Sequence, residues 1–349
     1  MVALTPVVGM VRAALLALGL AAALLGGSFE GYRELALLFD GLTPALSLGI
    51  VYTATLGGAL AEADRQRRAL RQRLQEEREA AARLAGELEA ARRIQLGLLP
   101  RPESAFPGEG RFRIAAVMEP ARVVGGDLFD FFLLDGDRLL FLVGDVSGKG
   151  LPASLFMAAT KAFYRSISTR HAVELARTMR EASAEMGRDN PEAFFVTLVA
   201  AVLDVNSGRL WYCSAGHEAP WIVHPDTGEV ERLEGGAGPP LCVLEDFAYE
   251  TATTRLRPGD TVLMVTDGVT EALDPGGDLF GTPRVTALVT EAARVPVRTE
   301  PARLVADLVV AVRTFREPFE PADDVTLLAV QWIGPADARE PWNPGLSAP

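Results

Sequence analysis

Cysteine and histidine are both scarce, with two cysteines (Cys213 and Cys242) and three histidines in 349 residues. Two thiols cannot build a disulfide framework, and three scattered histidines leave little for a zinc site, so any metal must be held by carboxylates. Basic residues are also short, 34 Lys and Arg against 46 Asp and Glu, for a net charge of -12. Such a chain lacks the positive face that a phosphate backbone requires, which excludes nucleic acid as the main partner. Aromatics make up only 7%, yet apolar residues reach 49%, enough for a sizeable core and too many for a disordered chain.

The mean hydropathy is positive, +0.17, beside 23% charged residues. The apolar residues must therefore be unevenly distributed, and they are. No charge occurs from Ala13 to Phe29, and none from Gly41 to Ala61. About 20 apolar residues cross a bilayer, so the second run is long enough and the first adequate with Val11 and a snorkelling Arg12. A cleaved signal peptide and a buried helical hairpin are competing readings of these runs. The preferred one is a pair of membrane helices over residues 1–61 joined near Glu30–Asp40. Arg65, Arg67, Arg68, Arg71 and Arg73 follow the second run, while the loop carries Glu30, Glu34 and Asp40 against Arg33. That asymmetry places both ends in the cytoplasm, in a multi-pass protein of the cell membrane.

From Glu62 to Leu99 the chain is rich in Arg, Glu, Gln, Ala and Leu and has no proline until Pro100 and Pro102 stop the helix. Leu74, Ala81, Leu88 and Gln95 form one heptad position, and Leu70, Glu77, Leu84, Ala91 and Leu98 the other, with polar breaks at Glu77 and Gln95. The seam fits either a single solvated linker helix over residues 62–99 that leans on the next domain or a parallel dimeric coiled coil that joins membrane to catalytic unit and makes the chain a homodimer.

Residues 100–333 read as one strand-rich domain of mixed α and β structure. Strands are expected at Arg113–Met118, Phe129–Leu134, Leu139–Val146, Phe194–Val205, Leu210–Ser214, Trp221–His224, Ala248–Leu256, Thr261–Thr266 and Val325–Trp332. Helices are expected from Leu151 to Ser168 with Pro152 in the first turn, from Val173 to Gly187, and from Pro301 to Phe315. The tail, 334–349, is rich in Pro, Gly and Ala and reads as disordered.

Asp127, Asp145, Asp267 and Asp323 each lie at a strand end or in a glycine-flanked turn. A strand end fixes a side chain, and an adjacent glycine lets backbone and ligand approach closely. Any single Asp-Gly is most simply a turn former. Four carboxylates gathered together would repel unless divalent cations neutralised them, and oxygen ligands suit magnesium or manganese.

Six segments sharpen this pattern: PARVVGGDLFDFF (120–132), LVGDVSGKGLPASLFMA (142–158), FFVTLVAAVLD (194–204), SAGHEAP (214–220), VTDGVTEA (265–272) and DDVTLLAV (323–330). In this order and spacing the chain closely resembles PPM-type serine/threonine phosphatases of the SpoIIE/RsbU branch, over about residues 94–333, starting at Arg93-Ile94-Gln95 and Leu99-Pro100. The resemblance implies an α+β fold, a two-layer β-sandwich flanked by helices (αββα), with two Mn2+ or Mg2+ ions in the cleft. It implies that Asp127, Asp145, Asp267 and Asp323 ligate metal, that Val146 offers its backbone carbonyl, and that Asp130 and Asp324 take a supporting or third-ion role. The implied reaction is hydrolysis of phosphoserine or phosphothreonine on a protein, and the usual substrate of the branch is a phosphorylated STAS-domain anti-anti-sigma regulator.

Other residues compete for roles. His217 could serve as general acid or hold a strand turn, and Ser214 stands where the family motif usually begins with Asn. Ser147 and Lys149 could touch a substrate phosphate or simply shape the loop before a helix. Thr197 could face the site. Cys213 and Cys242 read as buried thiols, and His171 and His224 as surface residues. Two other functions were weighed. A diguanylate cyclase-like enzyme would use Gly125-Gly126-Asp127 but leaves the other aspartates unexplained, and a non-catalytic pseudophosphatase conflicts with the presence of all four candidate ligands.

Overall fold

The computed structural model describes residues 15–16, 18–30 and 42–335. The expected loop at 31–40 and the tail from 336 onward lie outside the described residues. The chain divides into two compact units, Met1–Ala85 and Gly86–Pro349.

The first unit contains a short apolar helix α1 (Leu18–Glu30) and most of α2 (Leu42–Leu98). Among the described residues, the stretch Leu46–Leu98 is the one helix long and apolar enough to cross a membrane. α2 persists for 57 residues because its polar part is made of strong helix formers tied by one-turn pairs such as Gln72–Glu76 and Gln75–Glu79. Leu70, Leu74 and Leu84 of the heptad seam are exposed.

The second unit holds two antiparallel-rich sheets. After a one-turn helix α3 (Pro102–Ala105) the strands are β1 (Phe112–Glu119), β2 (Leu128–Leu133), β3 (Arg138–Val146), β4 (Val196–Asp204), β5 (Arg209–Ala215), β6 (Trp221–His224), β7 (Glu229–Arg232), β8 (Ala237–Gly238), β9 (Ala252–Arg255), β10 (Thr261–Val265) and β11 (Val325–Trp332). One sheet runs β1-β11-β10-β6-β7; the other runs β2-β3-β4-β5-β8, with β9 also on β5. The helices are α4 (Leu151–His171), α5 (Leu175–Arg188), α6 (Asp267–Thr270), α7 (Gly281–Ala293) and α8 (Pro301–Arg316).

Strand periodicity explains the layers. On β3, Leu139, Phe141 and Val143 point between the sheets, toward Met264, Leu328 and Val330, while Leu140 and Leu142 point the other way, toward Met157, Tyr164 and Met179 of α4 and α5. The second sheet likewise buries Leu263, Val265 and Leu327 against Val285 and Val289 of α7 and Leu304 and Leu308 of α8. Both faces of each central strand are covered, which is why these strands read as nearly unbroken apolar runs. The result is the expected α+β sandwich of two sheets between two helix layers. The reading from sequence omitted α7, β7 and β8 and extended one strand over Ala248–Leu256, of which only Ala252–Arg255 pairs with β5.

Candidate metal centre

The four strand-end aspartates fall at one end of each sheet. β2 pairs with β3 so that Leu128 faces Gly144, which sets Asp127, just before β2, beside Asp145 near the end of β3. In the other sheet Val265 of β10 faces Leu327 of β11, so Asp267, opening α6, lies beside Asp323, just before β11. The two ends are joined by Thr266, whose hydroxyl donates to Asp127 Oδ2 at 2.8 Å and accepts from the Thr326 amide at 3.1 Å.

The carboxylates raise one another's pKa. Asp127 is 1% exposed, and burial, then Asp145 and Asp324, push its carboxyl well above the usual range. Burial, then Asp267 and Asp323, lift Asp145 to about 7. Asp267 is raised by burial, Asp323 and Glu271. Lys149 Nζ meets Asp323 Oδ2 at 2.7 Å and the Ala322 carbonyl at 2.8 Å.

Gly126 lies against the cleft with no room for a side chain: a Cβ there would sit 2.7 Å from the Val146 carbonyl oxygen and 3.1 Å from Asp145 Oδ1. The Val146 oxygen thus stands beside two of the acidic groups. An all-oxygen donor set of mutually destabilised carboxylates, with a backbone carbonyl among them, fits hard divalent cations. Asp127, Asp145, Asp267, Asp323 and the Val146 carbonyl are the groups that would hold them. Among the described residues, the group of three or more His, Cys, Asp or Glu donors lying within 4.8 Å of one another is His224, Asp226 and Asp260.

The remaining candidates are placed as follows. Asp130 lies away from the cluster, buried under α4, where it meets Lys161 Nζ at 2.7 Å and Arg165 Nη1 at 2.9 Å. Asp324 turns its carboxylate onto backbone, accepting from the amides of Ala121 and Gly126, each at 2.7 Å. His217 Nδ1 lies 2.9 Å from Thr197 Oγ1 and Nε2 lies 3.1 Å from the Val265 carbonyl. The carbonyl can only accept, so Nε2 carries the proton and Nδ1 accepts from Thr197, leaving neither nitrogen for a substrate. Burial pulls the imidazole down to about 4. Thr197 faces Asp145 across β3 and β4, so the pair braces the strand that carries this ligand. Ser147 Oγ accepts from the Phe195 amide, a loop-shaping role. Cys213 is buried and Cys242 half-buried. His171 and His224 are not surface residues: His171 pairs with Glu181 at 2.7 Å and His224 with the buried Asp260 at 2.9 Å.

One participant escaped the sequence reading. Gln95, read as a polar break in the heptad seam, is 4% exposed and bonded to Gly125 in the loop that precedes Asp127.

This sandwich has the fold of PP2C-type phosphatase domains. The SiaA-PP2C domain of Pseudomonas aeruginosa superposes with a TM-score of 0.63 at 22% identity, over 72% of this chain and 98% of that one. The structure of the RsbU and RsbW domains of Rv1364c from Mycobacterium tuberculosis superposes with a TM-score of 0.55 at 30% identity, over 64% of this chain and 60% of that one. In sequence, phosphoserine phosphatase RsbU of Bacillus subtilis (strain 168) is 26% identical over 196 residues, 56% of this chain and 57% of RsbU. The family model of stage II sporulation protein E (SpoIIE) matches residues 135–333, and the chain belongs to that family. It spans between 41% and 57% of the first two curated relatives it matches.

Proposed function

We propose that the chain is a metal-dependent protein phosphatase that hydrolyses phosphoserine or phosphothreonine on a signalling protein. The observation that carries this reading is the set of four aspartates from two sheets, with Asp127, Asp145 and Asp267 pushed above the usual carboxylate range by burial and by their acidic neighbours. Two bound Mn2+ or Mg2+ ions would supply a water of lowered pKa and a clamp for phosphoryl oxygens, so no covalent phosphoenzyme is required. The residues' own task is positional: Thr266 and Asp324 fix the Asp127 loop, and Thr197 and His217 brace the strand of Asp145. Beside Asp323 opens a groove of about 610 Å³ lined by Lys149, Leu273, Leu279, Arg316 and Phe319 among others. Lys149 is already paired with Asp323 and the groove is also lined by Glu271, Asp274 and Glu320, so it is the apolar side chains that suit the peptide flanking a phosphorylated residue.

The kinship to RsbU, and to a chain in which RsbU and RsbW domains occur together, supports a phosphorylated partner-switching regulator of the STAS type as substrate. The uncharged run at the start of α2 supports one helix crossing the cell membrane, the arginines that follow it in sequence are the ground for proposing a second spanning helix before it and a cytoplasmic phosphatase unit, and the exposed seam of Leu70, Leu74 and Leu84 supports a dimer through α2. On this reading the membrane hairpin, linker helix and phosphatase domain divide at 61, 99 and 333. Crosslinking at Leu74, Leu84 and Leu88 tests the dimer, and a monomer at cellular concentration removes it.

The test of the activity is release of phosphate from a phosphoserine peptide by the full chain in detergent micelles with Mn2+. Turnover that depends on Mn2+ and disappears in Asp145→Asn and Asp267→Asn is the expected outcome. Normal turnover in either variant overturns its assignment as ligand, and no turnover by the metal-loaded wild type overturns the enzyme.

A further inference from the structure

The loop Gly125-Gly126-Asp127 makes no ladder of its own before β2 begins at Leu128, so its position depends on what its backbone groups bind. The Gly126 amide donates to Asp324 Oδ2 at 2.7 Å and its carbonyl accepts from Val146 at 3.3 Å. Asp127 also donates toward Asp324 Oδ2, at 3.4 Å. Gly125 is served from elsewhere: its carbonyl accepts from Gln95 Nε2 at 2.7 Å, and its amide donates to Gln95 Oε1 at 3.2 Å. A single primary amide thus reproduces the paired bonds of a β-bridge. Gly125 has no room to drift the other way, since a Cβ there would lie 1.9 Å from Asp324 Oδ2.

Among the described residues of α2, Gln95 is the one that is buried; Leu99, just past the helix end, is the next contact with the core. We infer that Gln95 is a positioning residue of the metal centre: it clamps Gly125 against Asp324 and so sets where Asp127 and the Val146 carbonyl stand. The inference rests on the metal-binding reading above for its consequence, but the clamp itself is a property of the metal-free chain. Partners that orient a ligand in this way typically change metal affinity by about 10–100-fold when removed. Because Gln95 belongs to α2, a displacement of that helix's last turns reaches Asp127 through two hydrogen bonds.

The decisive comparison is between the full wild-type chain and Gln95→Met, which keeps volume and helix propensity and deletes both bonds. Amide exchange of the segment 121–128 in metal-free protein should accelerate at least about tenfold, with β3 and β4 amides unchanged. The Kd for Mn2+ should rise about tenfold or more, because the loop that carries Asp127 is no longer held. Gln95→Glu keeps the acceptor for the Gly125 amide and loses the donor, and should fall between the two. Unchanged exchange at 125–127 in Gln95→Met overturns the inference. If wild type binds no Mn2+, the metal reading fails, and exchange alone still decides the clamp. If Gln95→Met does not fold, the wild type decides: the Gly125 amide must be protected to within about tenfold of the amides of residues 94–98, and faster exchange overturns the clamp.

Discussion

Thr266 donates its hydroxyl proton to Asp127 Oδ2 at 2.8 Å, and in that bond the two sheets of the sandwich meet at the acidic cleft. Asp127 belongs to the loop before β2, and Thr266 follows β10 in the other sheet. The bond fixes the deepest carboxylate and favours its ionised form, against the burial that disfavours it. Thr266→Val keeps the shape and removes the donor. It should cost about 1–3 kcal/mol of stability, the price of a buried acceptor left short of a partner. It should also weaken Mn2+ binding. Denaturant unfolding and metal titration read the two effects, and wild-type values in both would remove this role.

Asp145 gives a signed prediction in pH. Its carboxyl is raised to about 7, first by burial and then by Asp267 and Asp323. A folded-state value above the unfolded one favours folding while the group is protonated, and that contribution is lost as pH rises toward and through 7. Metal-free protein should therefore lose stability between pH 5 and pH 8, by of order 1–3 kcal/mol from this group. Asp145→Asn should flatten the slope and be the more stable chain at pH 8 without metal, even though it releases no phosphate. Thermal unfolding in chelator across that range checks it. A variant less stable than wild type at pH 8 would show that the cluster is not under charge strain.

His217 runs the opposite way. Burial lowers its imidazole from 6.5 to about 4, with both nitrogens committed to Thr197 and Val265. The unfolded chain takes up a proton before the folded one does, so stability from this residue is complete above 6.5 and is lost as pH falls from 6.5 to about 4. Because Asp145 gains over part of the same window, the test is the difference between wild type and His217→Gln. That difference should shrink toward acid pH by of order 2–3 kcal/mol. A constant difference would mean that the ring titrates freely in the fold.

How much of this was legible in the sequence depends on which periodicity each segment obeys. The strands β2, β3, β10 and β11 were recognisable because each is a dense apolar run bounded by an Asp beside glycine or a second Asp. Helix α7 was missed because Thr282, Pro283 and Thr290 interrupt a stripe that only Val285, Val289, Ala292 and Ala293 carry. The contact that Gln95 makes was not legible for a different reason. A heptad records which residues share a helix face, and it does not say whether a second helix or the chain's own loop covers that face. His224 likewise gave no local sign of Asp260, its partner across 36 positions of chain.

Gly126 tests the cleft sterically. A methyl at its Cβ position would stand 2.7 Å from the Val146 carbonyl oxygen, a distance real contacts do not show, and that oxygen is fixed within β3. Gly126→Ala should therefore displace the Val146 carbonyl or the Asp127 loop, at about 1–3 kcal/mol in stability. Mn2+ affinity should fall by more than stability alone accounts for. Binding measured well below the unfolding temperature separates the two, and wild-type affinity there would exclude the carbonyl from the site.

Asp130 separates an aspartate of the motif that serves the fold from those proposed to hold the metal. It is 1% exposed and is held by Lys161 at 2.7 Å and Arg165 at 2.9 Å, with the Arg165 guanidinium also stacked 4.1 Å over the Phe132 ring. The pair fastens α4 to β2, and burial pulls the Lys161 ammonium below its usual value despite the carboxylate beside it. Removing one partner leaves a buried charge uncompensated, so Asp130→Ala should cost about 3–5 kcal/mol. Replacing Asp130 and Lys161 together, as Asp130→Leu with Lys161→Met, should recover much of that loss, because the charge that remains, Arg165, is half-exposed and can reach water. In both variants Mn2+ affinity measured on folded protein should match wild type. A tenfold loss of affinity in the stable double variant would return Asp130 to the metal centre, and recovery of stability with affinity intact would fix it as the fastening of α4.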